Sequence, residues 1–261
     1  MIKELLKRLS LREVHDLNLD EAAAMACHRD IIESKPFLKK LYRDFYSEFL
    51  EQAKILQPLP GRILELGSGG GFLHKLLPEI LTSDVCAGPD IEQIIFADRL
   101  SFKEGEIKGI FMMNVLHHLS KAADFFSEAV RVLPKGGRLV MIEPYNSLLG
   151  RLFYKNFHAE PFEETAPTWE IPPQGQMTTS NQALPWIIFK RDRHLFEARF
   201  PALRIRRLRP HTVTRYIISG GLSFKTFVPA FSYPLFRVID ECLAPFSTLF
   251  PMFVTIVLEK I

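Results

Sequence analysis

The sequence predicts an α/β fold, a doubly wound and mostly parallel sheet. Two observations carry this expectation. Apolar runs of strand length alternate with helical periods between residues 62 and 143, and the first of these strands, Ile63-Leu64-Glu65-Leu66, runs directly into Gly67-Ser68-Gly69-Gly70-Gly71. Glycines at alternate positions let a backbone turn tightly and let a ligand approach without a Cβ in the way.

The elements come in order along the chain. The first 57 residues read as helices, with Asp20 as a cap for residues 21 to 32. Leu38, Leu41, Tyr42, Phe45, Phe49, Ala53 and Leu56 then keep helical spacing. Pro58, Pro60 and Gly61 separate this helical segment from the first strand. The spacing predicts a strand over 62–66, a helix over 72–77 ended by Pro78, and strands over 80–85 and 91–97. Residues 86–90 are too few for a helix between those two strands. A fourth strand is expected over 107–113, then a helix to Leu133 capped by Ser120. A fifth strand over 138–143 comes after the turn Pro134-Lys135-Gly136-Gly137. Residues 145–185 are rich in proline and show little periodicity. Beyond them the pattern gives a helix over 185–200, a strand over 203–210, a helix over 234–249 and a last strand over 252–259.

Composition narrows the function. With 47 % hydrophobic and 24 % charged residues the chain is globular, and a net charge of +3 is too small to imply nucleic acid. Cys27, Cys86 and Cys242 form no paired motif, so neither a disulfide framework nor a zinc site is expected, and no metal-ligand constellation stands out. Residues 1–8 are amphipathic without the apolar centre of a secretory signal, and residues 227–258 are apolar but interrupted by charges and prolines. A cytoplasmic protein is the expectation. The third glycine of the dinucleotide fingerprint is replaced by Phe72, which disfavours NAD or FAD.

The stretch 63–71 resembles the first motif of the Rossmann-like, S-adenosylmethionine (SAM) dependent methyltransferases. Three further segments fit in order. Leu100-Ser101-Phe102 is similar to the L-P-F after their third strand, Asn114-Val115-Leu116-His117-His118-Leu119 to the segment after their fourth, and Val132-Leu133-Pro134-Lys135-Gly136-Gly137 to their turn before the fifth. Together they resemble the "type 11" group, which methylates small molecules and lipids. The resemblance implies a Rossmann-like seven-stranded sheet over residues 58–261, closed by a hairpin. It also implies an N-terminal helical extension or cap over 1–57 and a substrate-side insertion after strand five over 145–185.

It further implies SAM as cofactor, held by Glu65, Gly67, Ser68, Gly69, Gly71, Asn114, Val115 and His118. Asp84 is placed at the ribose hydroxyls, or Asp90 if the strand runs longer, because a carboxylate accepts two hydrogen bonds from a diol. At strand three the family's adenine-contacting aspartate is replaced by Phe96; Ala97 keeps a backbone N–H there, and Asp98 lies two residues beyond Phe96.

Methyl transfer from a sulfonium needs alignment above all, and an oxygen acceptor needs a base near neutral pKa. His118, His158 and His211 are the candidates. Tyr145, Tyr154 and Glu160 fall where substrate pockets are built in the family. Arg191, Arg193, Arg199, Arg204, Arg206, Arg207, Arg209 and Arg215 crowd one region with Lys190, among phenylalanines. That composition suggests a lipid-linked acceptor and peripheral contact with the inner face of a membrane; a solvated surface is the other reading. The expected function is methyl transfer from SAM to a small, hydrophobic or lipid-linked acceptor. The alternative is a SAM-binding scaffold or sensor without transferase activity. Oligomeric state is not legible.

Overall fold

The structure, a computed structural model, describes residues 9–11, 22–172 and 179–261. Helix α1 spans Ala22–Ser34 and α2 spans Pro36–Leu56, with Pro36 in the first turn, where its missing N–H costs nothing. The expected Asp20 cap lies outside the described residues. The face of α2 carrying Leu38, Leu41, Phe45, Phe49, Ala53 and Leu56 is buried, as its spacing predicts. It packs on the sheet: Phe49 stacks on Phe111 at 5.0 Å, and Gly109 leaves the room that Leu56 fills.

The sheet has seven strands: β1 Arg62–Leu66, β2 Leu81–Asp84, β3 Gln93–Ile94, β4 Ile107–Met113, β5 Arg138–Pro144, β6 Leu203–His211 and β7 Phe253–Lys260. Their spatial order is 3-2-1-4-5-7-6. All neighbours pair in parallel except β7, which runs antiparallel to β5 and β6. This is the expected doubly wound fold with its closing hairpin. The strand order reverses between β1 and β4, and the crevice at the carboxyl ends of these strands is where such sheets place ligands.

Several elements differ from expectation. The helix expected over 72–77 is a single 3₁₀ turn, Leu73–Lys75. Pro78 stops the run, and the Phe72 N–H donates to the Tyr46 hydroxyl at 3.2 Å instead of facing open space. As anticipated, no helix separates β2 from β3. Strand β3 is shorter than 91–97, because Phe96 and Arg99 close a tight turn. Helix α3, Ala122–Val132, starts from Lys121 with no side-chain cap, so Ser120 does not cap it.

The insertion holds helix α4, Leu148–Phe157, which sequence periodicity did not reveal; Ser147 caps it by accepting from the Gly150 N–H at 2.9 Å. The helix expected over 185–200 is broken. A short turn, Leu184–Trp186, runs into a π turn, Ile187–Arg191, and α5, Arg193–Arg199, begins after Asp192. Phe126 of α3 packs against Phe189, Phe196 and Phe200 from this region and so fills the second face of the core. Helix α6 is Thr214–Ser219, and α7 is Tyr233–Leu243, ending before the expected residue 249.

Candidate active site

The turn after β1 is shaped by its glycines. Gly67 has φ +70°, and a Cβ there would stand 2.4 Å from Val115 Cγ2, so β4's exit segment packs directly on the loop. Gly69 has φ +50°, and a Cβ there would meet nothing closer than 4.0 Å: it faces open space. Gly70 and Gly71 are closed over by protein, the first by the backbone of Met25, His28 and Arg29 in α1, the second by the Tyr46 hydroxyl. The loop lines a cavity of about 270 Å³ that also takes in Asn114, His117, His118, His158, Glu160 and Gln182. Its apolar wall includes Ile32, Leu38, Phe45, Phe153, Phe157 and Phe253.

Two acids lie under the loop. Glu65 is buried and accepts from the Ser68 hydroxyl at 2.9 Å. Burial raises its pKa to about 7, the Ser68 bond opposing and the nearby Asp84 adding to the rise. Asp84 is also buried, and its carboxylate accepts from the Gly69 N–H at 2.9 Å and the Val85 N–H at 2.8 Å. It braces the turn. Asp90, the fallback, is exposed, has φ +61° and pairs with Arg29 at 2.7 Å. Ala97 and Asp98 sit in the turn beyond β3, outside the cavity lining.

Asn114 leaves β4 at φ +57°, and its Oδ1 is buried with no partner. An orphaned acceptor in a ligand-sized cavity points to a donor that arrives with the ligand. The adjoining segment is held by Glu143 at the end of β5. This fully buried carboxylate accepts from the Val115 N–H at 2.9 Å, the Leu116 N–H at 2.8 Å and His117 Nδ1 at 2.6 Å. His117 Nε2 in turn lies 3.2 Å from Glu160 Oε2. Burial alone would lower the His117 pKa; the Glu143 and Glu160 carboxylates outweigh it and raise it to about 9.

His118 is the opposite case. Its Nδ1 donates to the Thr179 carbonyl at 3.0 Å, which leaves the lone pair on Nε2, 3.8 Å from Glu160 Oε1. Burial, then the charge on His117, push its pKa down to about 4. Burial acts to raise the Glu160 pKa, but the bond to His117 and the imidazoles of His117, His118 and His158 hold it far below the usual carboxylate range. Gln182 Nε2 donates to Glu160 Oε2 at 2.9 Å and to His158 Nδ1 at 2.6 Å, so His158 carries its proton on Nε2.

The structure therefore gathers His118, His158 and Glu160 and does not bring His211 to them. His211 lies between the Thr212 and Thr255 hydroxyls, its pKa lowered to about 3 by burial and the nearby Arg209 and Arg215. The Tyr154 hydroxyl donates to the Met252 carbonyl at 2.6 Å, and Tyr145 is absent from the cavity lining. Glu143, His117 and Gln182 are the members that sequence reasoning did not assign. A buried acid closing an apolar strand was the available signal for Glu143.

Residues 64–141 match the family model for a methyltransferase domain. The chain carries a methyltransferase domain. The matched domain is that of the type 11, SAM-dependent methyltransferases. The match spans β1 to β5, the part that builds the glycine turn and the His117–His118 segment. No curated protein matches the sequence.

Among solved structures, geranyl diphosphate C-methyltransferase from Streptomyces coelicolor is 12 % identical over 86 % of this chain and 82 % of its own, with a TM-score of 0.49. The putative methyltransferase in complex with the Trm112 activator of Haloferax volcanii is 12 % identical over 93 % and 97 %, TM-score 0.49. A SAM-dependent methyltransferase from Archaeoglobus fulgidus is 15 % identical over 84 % and 94 %, TM-score 0.49. Likeness at this level bears on neither substrate nor site residues.

The methionine end of SAM fits the residues present, on the orphaned Asn114 Oδ1 and the open side of Gly69. The arginine-rich region is largely neutralised within the chain. Arg206 pairs with Glu259, Arg207 with Glu48 and Glu51, Arg209 with Glu48, Arg193 with Glu197, and buried Arg215 with Asp44 and Asp240. Among the described residues, no helix is long and apolar enough to cross a membrane.

Proposed function

We propose that this methyltransferase acts on a small acceptor with an apolar body and one polar reacting group. The observation that carries the proposal is a single cavity whose aromatic and aliphatic wall ends on the His117–His118–Glu160–Gln182 cluster. A hydrophobic body gains from the apolar wall, while the unsatisfied polar end selects a group that can hydrogen-bond. When bound, SAM supplies an activated methyl group on a sulfonium. Gly67, Gly69 and Asn114 would hold its methionine end, Glu65 and Asp84 bracing the turn from beneath.

The chain's own part is placement. His118 Nε2 and Glu160 Oε1, 3.8 Å apart, form the polar end of the cavity, and this cluster holds the acceptor's reacting group in line with the methyl donor. Glu143 fixes the segment that carries both histidines. Helix α1 contributes His28 and Ile32 to the wall, so the segment before residue 57 serves as the cap of the cavity. Purified protein incubated with SAM and apolar hydroxy or amino compounds should release S-adenosylhomocysteine, and His118→Asn should slow release while leaving S-adenosylhomocysteine affinity unchanged. Binding without turnover across such a panel would favour the scaffold reading.

A lipid-linked acceptor is favoured by a second observation. Phe231, Leu235, Val238, Phe246, Leu249, Leu148 and Leu152 are all exposed, and Leu148 and Leu149 donate to the carbonyls of Thr248 and Leu249, which joins the start of α4 to the end of this run. Membrane contact would run through these apolar side chains instead of the paired arginines. Flotation with neutral vesicles should retain the protein and lose it on Phe231→Ser with Leu235→Ser. A protein that floats with neither neutral nor anionic vesicles has a soluble acceptor.

A further inference from the structure

We propose that His117, His118 and Glu160 form a site for one divalent transition-metal cation. The proposal rests on the assignment of this cavity to the acceptor and names what would grip the acceptor's polar atom.

Three observations converge on it. First, each imidazole has its Nδ1 against an oxygen acceptor, Glu143 Oε2 for His117 and the Thr179 carbonyl for His118. This is the outer-shell arrangement that orients metal-ligating histidines: Nδ1 keeps its proton on the oxygen acceptor, and the ion takes the Nε2 position, displacing from His117 the proton that otherwise faces Glu160. Second, both Nε2 atoms face the same carboxylate. His117 Nε2 is 3.2 Å from Glu160 Oε2 and His118 Nε2 is 3.8 Å from Oε1, and one ligand atom from each of the three residues lies within 4.8 Å of the others. Ligands bound to one ion at about 2.1 Å each stand about 3–4 Å apart, so only a small closure is needed. Third, charge and hydrogen bonding are incomplete. Glu143 and Glu160 are two carboxylates on the two nitrogens of His117, and among the described residues no lysine or arginine pairs with either. Gln182, nearly fully buried and bonded to Glu160, has an Oε1 without a partner.

Two imidazoles and one carboxylate suit zinc, iron(II), cobalt(II) or manganese(II) better than magnesium or calcium, which favour all-oxygen sets. Three protein ligands leave coordination positions open, and these face the cavity that holds the acceptor. An oxygen or nitrogen of the acceptor can complete the shell and be aimed at the methyl donor. Glu143 touches neither ion nor acceptor; it is a positioning residue.

The test uses the full chain, stripped with chelator and titrated with cobalt(II), with magnesium as control. One equivalent of cobalt should bind and give visible d–d absorption, and magnesium should not displace it. Glu160→Gln and His118→Ala should each weaken cobalt binding at least tenfold, and His194→Ala, at an exposed histidine outside the cavity, should leave it unchanged. Binding of S-adenosylhomocysteine is measured on the same samples and reports separately on the cofactor site and on folding. No cobalt binding by wild-type protein that still binds S-adenosylhomocysteine would overturn the metal site and leave the methyltransferase reading standing. Equal cobalt affinity in wild type and in folded Glu160→Gln would overturn it as well.

Discussion

Glu143→Gln isolates the part that holds the segment Val115–His118 together. The wild-type carboxylate is fully buried and accepts three hydrogen bonds, two from the backbone N–H groups of Val115 and Leu116 and one from His117. A glutamine oxygen can keep the two backbone donors. Its NH₂ group then replaces Oε2 and faces His117 Nδ1, which must turn from donor to acceptor. His117, charged at neutral pH between two carboxylates, gives up its Nδ1 proton and keeps the one on Nε2, toward Glu160. A charged hydrogen bond of about 1.5–3 kcal/mol is exchanged for a neutral one of about 0.5–1.5 kcal/mol, so the variant should lose about 1–2 kcal/mol at neutral pH. Removing all acceptor capacity with Glu143→Leu would orphan three buried donors at about 1–3 kcal/mol each and threaten folding, which is why the amide is the informative change. Urea unfolding gives the stability, and S-adenosylhomocysteine release gives the turnover. Turnover should fall by well over tenfold, because His117 loses the charge that Glu143 supports and with it part of its hold on Glu160, while S-adenosylhomocysteine affinity holds. A Glu143→Gln protein with wild-type stability and turnover would refute the assignment of Glu143 as the anchor of the cluster.

Two other changes probe the turn beneath the cofactor. Gly67→Ala places a methyl group 2.4 Å from Val115 Cγ2 at φ +70°, and the backbone strain alone costs about 1–2 kcal/mol; adding Val115→Ala should relieve the overlap but not the strain, a partial rescue visible in urea midpoints. Glu65 has its pKa raised to about 7 from 4.5, so its contribution is full below pH 4.5 and is lost as pH rises through 7. The gap corresponds to about 3 kcal/mol, and Glu65→Gln should flatten the wild-type loss of stability between pH 5 and 8, a difference that parallel unfolding curves would show or deny.

The fold was legible because its signals are local. The apolar spacing of α2, the strand preceding Gly67 and the turn at Gly136-Gly137 each declare themselves within a few residues. What failed depended on tertiary partners. The 3₁₀ turn at Leu73–Lys75 stands where a helix was expected, with Tyr46, 26 residues away, taking the Phe72 N–H. Asp84 accepts from the Gly69 and Val85 amides, contacts that only the folded turn reveals. His118 and Glu160 were both singled out in the sequence, but 43 residues separate His117 from Glu160, and no spacing rule joins them. The arginine cluster looked like a free basic face because its acids, Glu48, Glu51 and Glu259, come from α2 and β7.

The most direct test of the cofactor and acceptor assignments is a crystal structure of the protein soaked with S-adenosylhomocysteine. The homocysteine end should lie beside Gly69 with a donor to Asn114 Oδ1, and the sulfur should face the side of the cavity lined by His118 and Glu160. Asn114→Ala should weaken the binding measured in solution by about 0.5–1.5 kcal/mol, the loss of one hydrogen bond. Density for the ligand away from the Gly67–Gly71 turn, or a sulfur turned away from His118 and Glu160, would contradict both assignments.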